Sequence, residues 1–157
     1  MGRNTSKAPA DCRIIGVAGT SHGVGVTHFC VMAASFLTAA AGEETAVLEW
    51  NGSGDFGRME LACTGRKREG KLFRVLETDY YKEAGAGELA LCLNRYRCVL
   101  VDFGVMRDDV KDEFMRCEKR VLIGSFSEWQ WKVFWEWLER GKEAERGWIN
   151  AAAFGSG

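Results

Sequence analysis

Gly19-Thr20-Ser21-His22-Gly23-Val24-Gly25-Val26-Thr27-His28 is the stretch on which the fold turns. Before it runs Arg13-Ile14-Ile15-Gly16-Val17-Ala18, a short apolar segment that reads as a buried strand. After it, Thr27 to Ala41 has neither Pro nor Gly and is rich in Ala, Met, Leu and Phe, a helix stopped by Gly42. A strand that enters a helix through a glycine turn points backbone amides at whatever lies beyond the strand. Gly23 and Gly25 let those amides turn toward an anion, and the positive end of the helix adds to the pull. Thr27 sits where a hydroxyl at the helix mouth would meet Mg²⁺.

Outward from this turn, strand and helix signals alternate. Thr45-Ala46-Val47-Leu48-Glu49-Trp50 reads as a second strand, ended by Asn51-Gly52-Ser53-Gly54. Residues 55–72 read as irregular with a short helix, and Leu72 to Leu76 as a weak strand. Glu88 to Asn94 makes a short helix leading into the strand Cys98-Val99-Leu100-Val101-Asp102. Asp108 to Arg116 is a polar helix whose acidic first turns (Asp108, Asp109, Asp112, Glu113) suit its dipole. Arg120 to Gly124 is a strand, Glu128 to Arg140 a helix closed by Gly141, and Trp148 to Phe154 a last strand. The alternation predicts an α/β fold: a three-layer αβα, doubly wound, mainly parallel sheet. Residues 1–11 read as a disordered leader and 12–157 as a single domain.

With 157 residues, a net charge of -1 at pH 7, 46% apolar and 27% charged residues, the composition is that of an ordinary globular protein. That balance supplies no field to attract nucleic acid, and no run of 18 apolar residues crosses a membrane. The six cysteines lack C-x-x-C spacing and several lie in apolar runs, so they read as reduced thiols in a cytoplasmic protein. Arg66-Lys67-Arg68 with Lys71 and Arg74 is the basic cluster, short enough for a solvated loop.

Val17 to His28 resembles the deviant Walker A loop of the MinD/ParA-like P-loop NTPases (the SIMIBI class), written xxGKGGVGKTT, with Gly23-Val24-Gly25-x-Thr27 in register. Val47 to Asn51 is similar to that family's strand with an aspartate pair, Glu49 and Asn51 standing in their places. Cys98 to Gly104 resembles the Walker B strand, with Asp102 on the metal side. The likeness runs in order from about residue 13 to 150. It implies a P-loop NTPase-like fold. It also implies ATP or ADP as cofactor, held by Thr20, Ser21, His22, Gly23, Val24, Gly25, Val26, Thr27 and His28. Mg²⁺ would sit at Thr27 and Asp102 only if nucleotide binds. Members continue past the strand at 148–154 with elements that contact adenine, so the likeness implies a minimal or shortened version.

The departures decide the function. The family's first lysine corresponds to Ser21, its second to Val26, and the loop's first glycine to Thr20. Phosphoryl transfer is catalysed by positioning and charge neutralisation, and removing one preorganised stabiliser costs about 10²–10³ in rate. His22 and His28 flank the loop as weak substitutes for an ammonium group, and Arg107 follows the Walker B strand without a fixed place. Two readings stay open: the glycine turn survives because the fold needs it, or it retains anion or nucleotide binding.

Glu128 to Leu138 holds four of the six tryptophans. Trp131, Phe134, Trp135 and Leu138 form one helical stripe; Trp129, Val133 and Trp137 form an adjoining one. A helix on a sheet buries one stripe, which leaves the second for a protein partner or a homodimer. The expected function is a catalytically impaired ParA/MinD-like protein, a scaffold, localisation or regulatory binding module with weak or no nucleotide binding. The alternative is a divergent ATPase whose missing lysines are replaced by other groups or by a partner. No residue is assigned a catalytic role, and nucleic acid is not expected as a partner.

Overall fold

The apolar run at the start of the chain forms β1 (Arg13–Gly19), which pairs in parallel with strands on both sides. A computed structural model describes residues 11–125, 132, 136, 139 and 148–153. The remaining elements are α1 (Val26–Ala39), β2 (Thr45–Glu49), α2 (Asp55–Thr64), β3 (Leu72–Val75), β4 (Thr78–Tyr81), α3 (Ala86–Leu93), β5 (Cys98–Val105), α4 (Asp108–Arg116), β6 (Lys119–Ser125) and β7 (Trp148–Ala153). They build a seven-stranded sheet of order β3-β4-β2-β5-β1-β6-β7, parallel except for the β3–β4 pair.

Successive strand residues face opposite sides, so each central strand feeds two cores. Val17, Val47, Leu100 and Ile123 pack with Val26, Cys30 and Ala34 of α1 and Phe56 of α2. Ala18, Leu48, Val101 and Leu122 pack with Cys92 of α3 and with Val110 and Phe114 of α4. Burying a side chain such as Leu100 contributes about 2 kcal/mol. The helices therefore cover both faces, as the alternating sequence pattern requires. Right-handed crossovers put α1 and α2 on one face as the chain winds one way, and α3 and α4 on the other as it winds back. The direction reverses between the adjacent strands β1 and β5. A crevice opens at such a switch point, beyond the strands' carboxyl ends.

Several boundaries differ from the sequence expectation. The short helix expected within residues 55–72 is α2, followed by irregular chain, and β2 stops at Glu49 rather than Trp50. Strand β4 was not expected, and Leu76 lies in a turn rather than in β3. Leu76 and Glu77 have φ of 47° and 67° and link Val75 to its partner Thr78, a two-residue hairpin. Phe73 stacks on its partner Tyr80 at 5.4 Å, and Phe56 meets both rings edge-on. All six cysteines are free. The leader, except Asp11, and Trp129, Val133 and Trp137 lie outside the described residues; Lys132, Glu136 and Glu139 are helical and exposed. Among the described residues no helix is long and apolar enough to cross a membrane.

Candidate functional site

The crevice between β1 and β5 is an open cleft of about 430 Å³. Ser21 to Thr27 line one wall; Asn51, Ser53, Asp55, Gly104, Val105 and Arg107 complete it. Of the predicted loop residues, Thr20 is buried behind the cleft and His28 is exposed on α1 without lining it. Gly23 and Gly25 have φ of 77° and 93°, a conformation that costs residues with a Cβ about 1–2 kcal/mol. Gly25 caps α1 with no side-chain hydrogen bond, so the first-turn amides of α1 face the cleft without an intrahelical acceptor.

The interior of the turn is apolar. Val24 and Val26 are buried, and a Cβ on Gly19 would come within 2.6 and 2.8 Å of their methyl carbons. Where the resembling family places its second lysine, this chain has a side chain turned into the core. The hydroxyls of Thr20 and Ser21 are buried and have no hydrogen-bond partner. A buried unsatisfied hydroxyl costs about 1–3 kcal/mol unless a ligand or water meets it.

Behind the loop stands Asp102, with no exposed surface. The Thr27 hydroxyl donates to its Oδ2 at 2.6 Å. The Asn51 side-chain amide and the Gly104 N–H both donate to its Oδ1 at 2.9 Å. Burial pushes the Asp102 carboxyl above its ordinary value, and the nearby charge of Glu49 adds to the push. The three donors offset this in part. Gly104 has φ of 64°, and a Cβ there would lie 2.8 Å from Asn51 Cβ, so the close approach of these loops requires glycine. Asn51 is itself held by the Ser53 N–H donating to its Oδ1 at 2.8 Å.

Glu49 is also fully buried. Its Oε1 accepts from Ser53 Oγ at 3.1 Å and from the Phe56 N–H at 3.0 Å; its Oε2 accepts from the Glu83 N–H at 3.2 Å. It ties the start of α2 and the exit of β4 to the end of β2, a structural use of a carboxylate at the first position of the family's aspartate pair. The sequence had not singled out Ser53, Glu83 or Gly104. For Ser53 a signal existed, since Asn-Gly-Ser-Gly favours a turn in which Asn accepts from the amide two residues on.

Thr27 and Asp102 are brought together, but both oxygens of Asp102 are engaged by protein donors, and so are both of Glu49. At the family's second aspartate position stands an amide whose nitrogen points at Asp102. Among the described residues no cluster of His, Cys, Asp or Glu has the grouping of a metal site. The side chain of Arg107, a candidate replacement charge, is engaged by Asp109 through contacts of 3.0 and 3.2 Å.

The basic cluster lies beside a second cleft, of about 370 Å³, lined by Lys67, Arg68, Lys71 and Lys82 together with Glu49, Glu69 and Glu83. Lys71 pairs with Glu88 at 2.8 Å, Arg74 with Asp79 at 2.6 Å, and buried Lys82 with buried Glu60. Acids thus neutralise Lys71 and Arg74 of the cluster.

No protein-family model matches the chain, and no curated protein matches it by sequence. Solved structures do. A ParA family ATPase from Chlorobium tepidum superposes with a TM-score of 0.67 at 13% identity, over 90% of this chain and 73% of that one. The VpsO kinase domain gives 0.67 at 13%, over 91% and 84%. A plasmid partition protein from Borrelia burgdorferi, bound to AMPPNP, gives 0.64 at 9%, over 91% and 76%. Identities this low carry the fold and nothing finer: the chain has the mostly parallel, helix-flanked architecture of the ParA-like P-loop NTPases.

Proposed function

We propose that this protein is a catalytically impaired ParA-like P-loop protein that serves as a scaffold, localisation or regulatory module. Its loop persists as an anion-accepting turn with weak nucleotide affinity. One observation carries the reading: Val26, at the position of the phosphate-holding lysine, is buried against Gly19, while Gly23 and Gly25 keep the left-handed geometry of the turn. The backbone of a phosphate loop is retained and its ammonium charge is gone. Electrostatic stabilisation is the larger part of phosphoryl-transfer catalysis, so binding outlasts chemistry when only the lysines are lost. The AMPPNP complex of the Borrelia partition protein supports nucleotide as a ligand class for this architecture. The rival reading, a divergent ATPase with substitute cations, has Arg107 as its best candidate, and Asp109 already holds that guanidinium.

Thermal unfolding of the protein with millimolar ATP, with and without Mg²⁺, tests the proposal. A small rise in Tm is expected. No rise at any concentration would leave the loop a purely structural relic. The partner surface is proposed on the Trp129, Val133 and Trp137 stripe, so changing Trp129 and Trp137 to Gln is expected to alter self-association or partner capture without unfolding the chain. Unchanged elution and unchanged capture would refute that surface.

A further inference from the structure

Strand β3 forms one edge of the sheet, and its hydrogen-bonding pattern leaves half of its backbone unused. It pairs with β4 in the register Leu72↔Tyr81, Phe73↔Tyr80, Arg74↔Asp79 and Val75↔Thr78. One position earlier, the Lys82 N–H donates to the Lys71 carbonyl at 2.9 Å, so residue 71 turns its carbonyl toward β4. Antiparallel pairs alternate between hydrogen-bonded and non-bonded. Phe73 and Val75 therefore bond to β4, while the N–H and C=O of Leu72 and Arg74 point away from the sheet. Among the described residues these four groups have no backbone partner. Edge strands are commonly protected by proline, a bulge or an outward charge. Strand β3 has neither proline nor bulge, and Leu72 is exposed. Its one charge is neutralised, since Arg74 donates to both oxygens of Asp79 at 2.6 and 3.0 Å.

We propose that β3 is a self-association edge, on which a second copy of this chain adds its own β3 antiparallel about a two-fold axis at Phe73. That axis sets Leu72 opposite Arg74 of the second copy, and Arg74 opposite its Leu72. Each pair exchanges two hydrogen bonds, so all four outward groups are met. The two Phe73 residues face each other in the non-bonded pair between them. An axis at Leu72 would join Leu72 to itself and leave Arg74 unmet within the strand. An axis at Arg74 would set two guanidinium groups directly opposite, which is unfavourable. This edge is independent of whether the loop accepts an anion. Four strand residues a side fall short of the about 1,200 Å² of a stable interface, so the dimer is weak and forms with concentration.

Sedimentation equilibrium of the full chain without nucleotide, from about 10 µM to about 1 mM, tests this together with amide hydrogen exchange at both ends of the range. The wild-type chain is expected to pass from monomer to dimer. The Leu72 and Arg74 amides should slow by about tenfold, and those of Phe73 and Val75, already bonded to β4, should change less. Leu72→Pro removes one outward N–H and spares the ladder to β4, so it is expected to fold and stay monomeric. Leu72→Lys sets a cation opposite Arg74 and Leu72→Glu an anion; the Glu variant should dimerise at least about threefold more tightly than the Lys variant at low salt. A wild-type chain that stays monomeric at the highest concentration would overturn the proposal, as would a dimer that persists in folded Leu72→Pro. Should Leu72→Pro not fold, the Lys and Glu variants decide, and equal affinities would rule out the two-fold register at Phe73.

Discussion

Glu49 and Asp102 are register partners on the adjacent parallel strands β2 and β5, and neither has any exposed surface. Two carboxylates this close repel when both are ionised, which is one reason the Asp102 carboxyl is raised, after burial itself. Hydrogen bonds, not a counter-ion, hold them. The switch-point crevice therefore has a floor made by two acids with different jobs: Glu49 staples α2 and the β4 exit to β2, and Asp102 latches α1 to the β2 and β5 exits.

The pH dependence of stability follows from two buried acids with opposite shifts. Asp102 is raised, so the folded state takes up its proton before the unfolded chain does. Its ionised form costs stability at neutral pH, and that cost is relieved as pH falls through its folded pKa toward the ordinary 3.8. Asp79 is lowered. Burial alone would raise it, but Arg74 and the Tyr96 hydroxyl, with Arg95 nearby, outweigh burial. Its contribution is present above the ordinary 3.8 and is lost as pH falls through its still lower folded pKa. Urea unfolding over a pH series should show the advantage of wild type over Asp79→Asn shrinking in acid. Against Asp102→Asn, wild type should gain in acid. The same sign for both would contradict these shifts.

The β3–β4 turn predicts a stabilising change. Leu76 and Glu77 both sit at positive φ, and Leu76 is 82% exposed. A two-residue turn of this kind favours Asn-Gly, and each non-glycine residue held there costs about 1–2 kcal/mol. Leu76→Asn with Glu77→Gly should raise the urea midpoint with an unchanged slope, a gain of about 1 kcal/mol or more. A lower midpoint would mean that Leu76 has a role at the tip.

The Glu60–Lys82 pair should respond asymmetrically. Both are buried, Lys82 also donates to the Arg68 carbonyl at 2.8 Å, and one oxygen of Glu60 has no partner. Lys82→Met leaves a buried carboxylate uncompensated and should cost about 3–5 kcal/mol, whereas Glu60→Leu combined with Lys82→Met should recover most of it. Denaturant unfolding of both variants checks this. Equal losses would show that the pair's hydrogen bonds to the 66–71 segment, rather than its charge, hold α2 to β4.

Much of the fold was legible because its central strands are continuous apolar runs and its first turn is glycine-rich. Cys98 to Asp102 and Arg13 to Gly19 can only be buried parallel strands once a helix follows each. Strand β4 escaped because Thr-Asp-Tyr-Tyr carries a charge and is preceded by Leu-Glu, which signals no hairpin; its buried Asp79 is affordable only because Arg74 and Tyr96 reach it from β3 and from beyond α3. At the site, Asp102 stood out by following the apolar run Val99-Leu100-Val101 and by the likeness of that stretch to a Walker B strand, although β5 continues past it to Val105. The engagement of both its oxygens was not legible, since Asn51, Thr27 and Gly104 converge only through the strand order. The burial of Val26 against Gly19 likewise depends on how the turn closes, which spacing alone does not specify.

The proposed loss of catalysis is tested most directly by steady-state ATP hydrolysis with millimolar Mg²⁺-ATP, comparing the wild-type chain with Asp102→Ala. The two rates are expected to be the same and at background, because the loop offers no lysine to the phosphates and Asp102 serves the fold. Wild-type turnover that vanishes in Asp102→Ala would contradict this and make the protein an active ATPase with substitute charges.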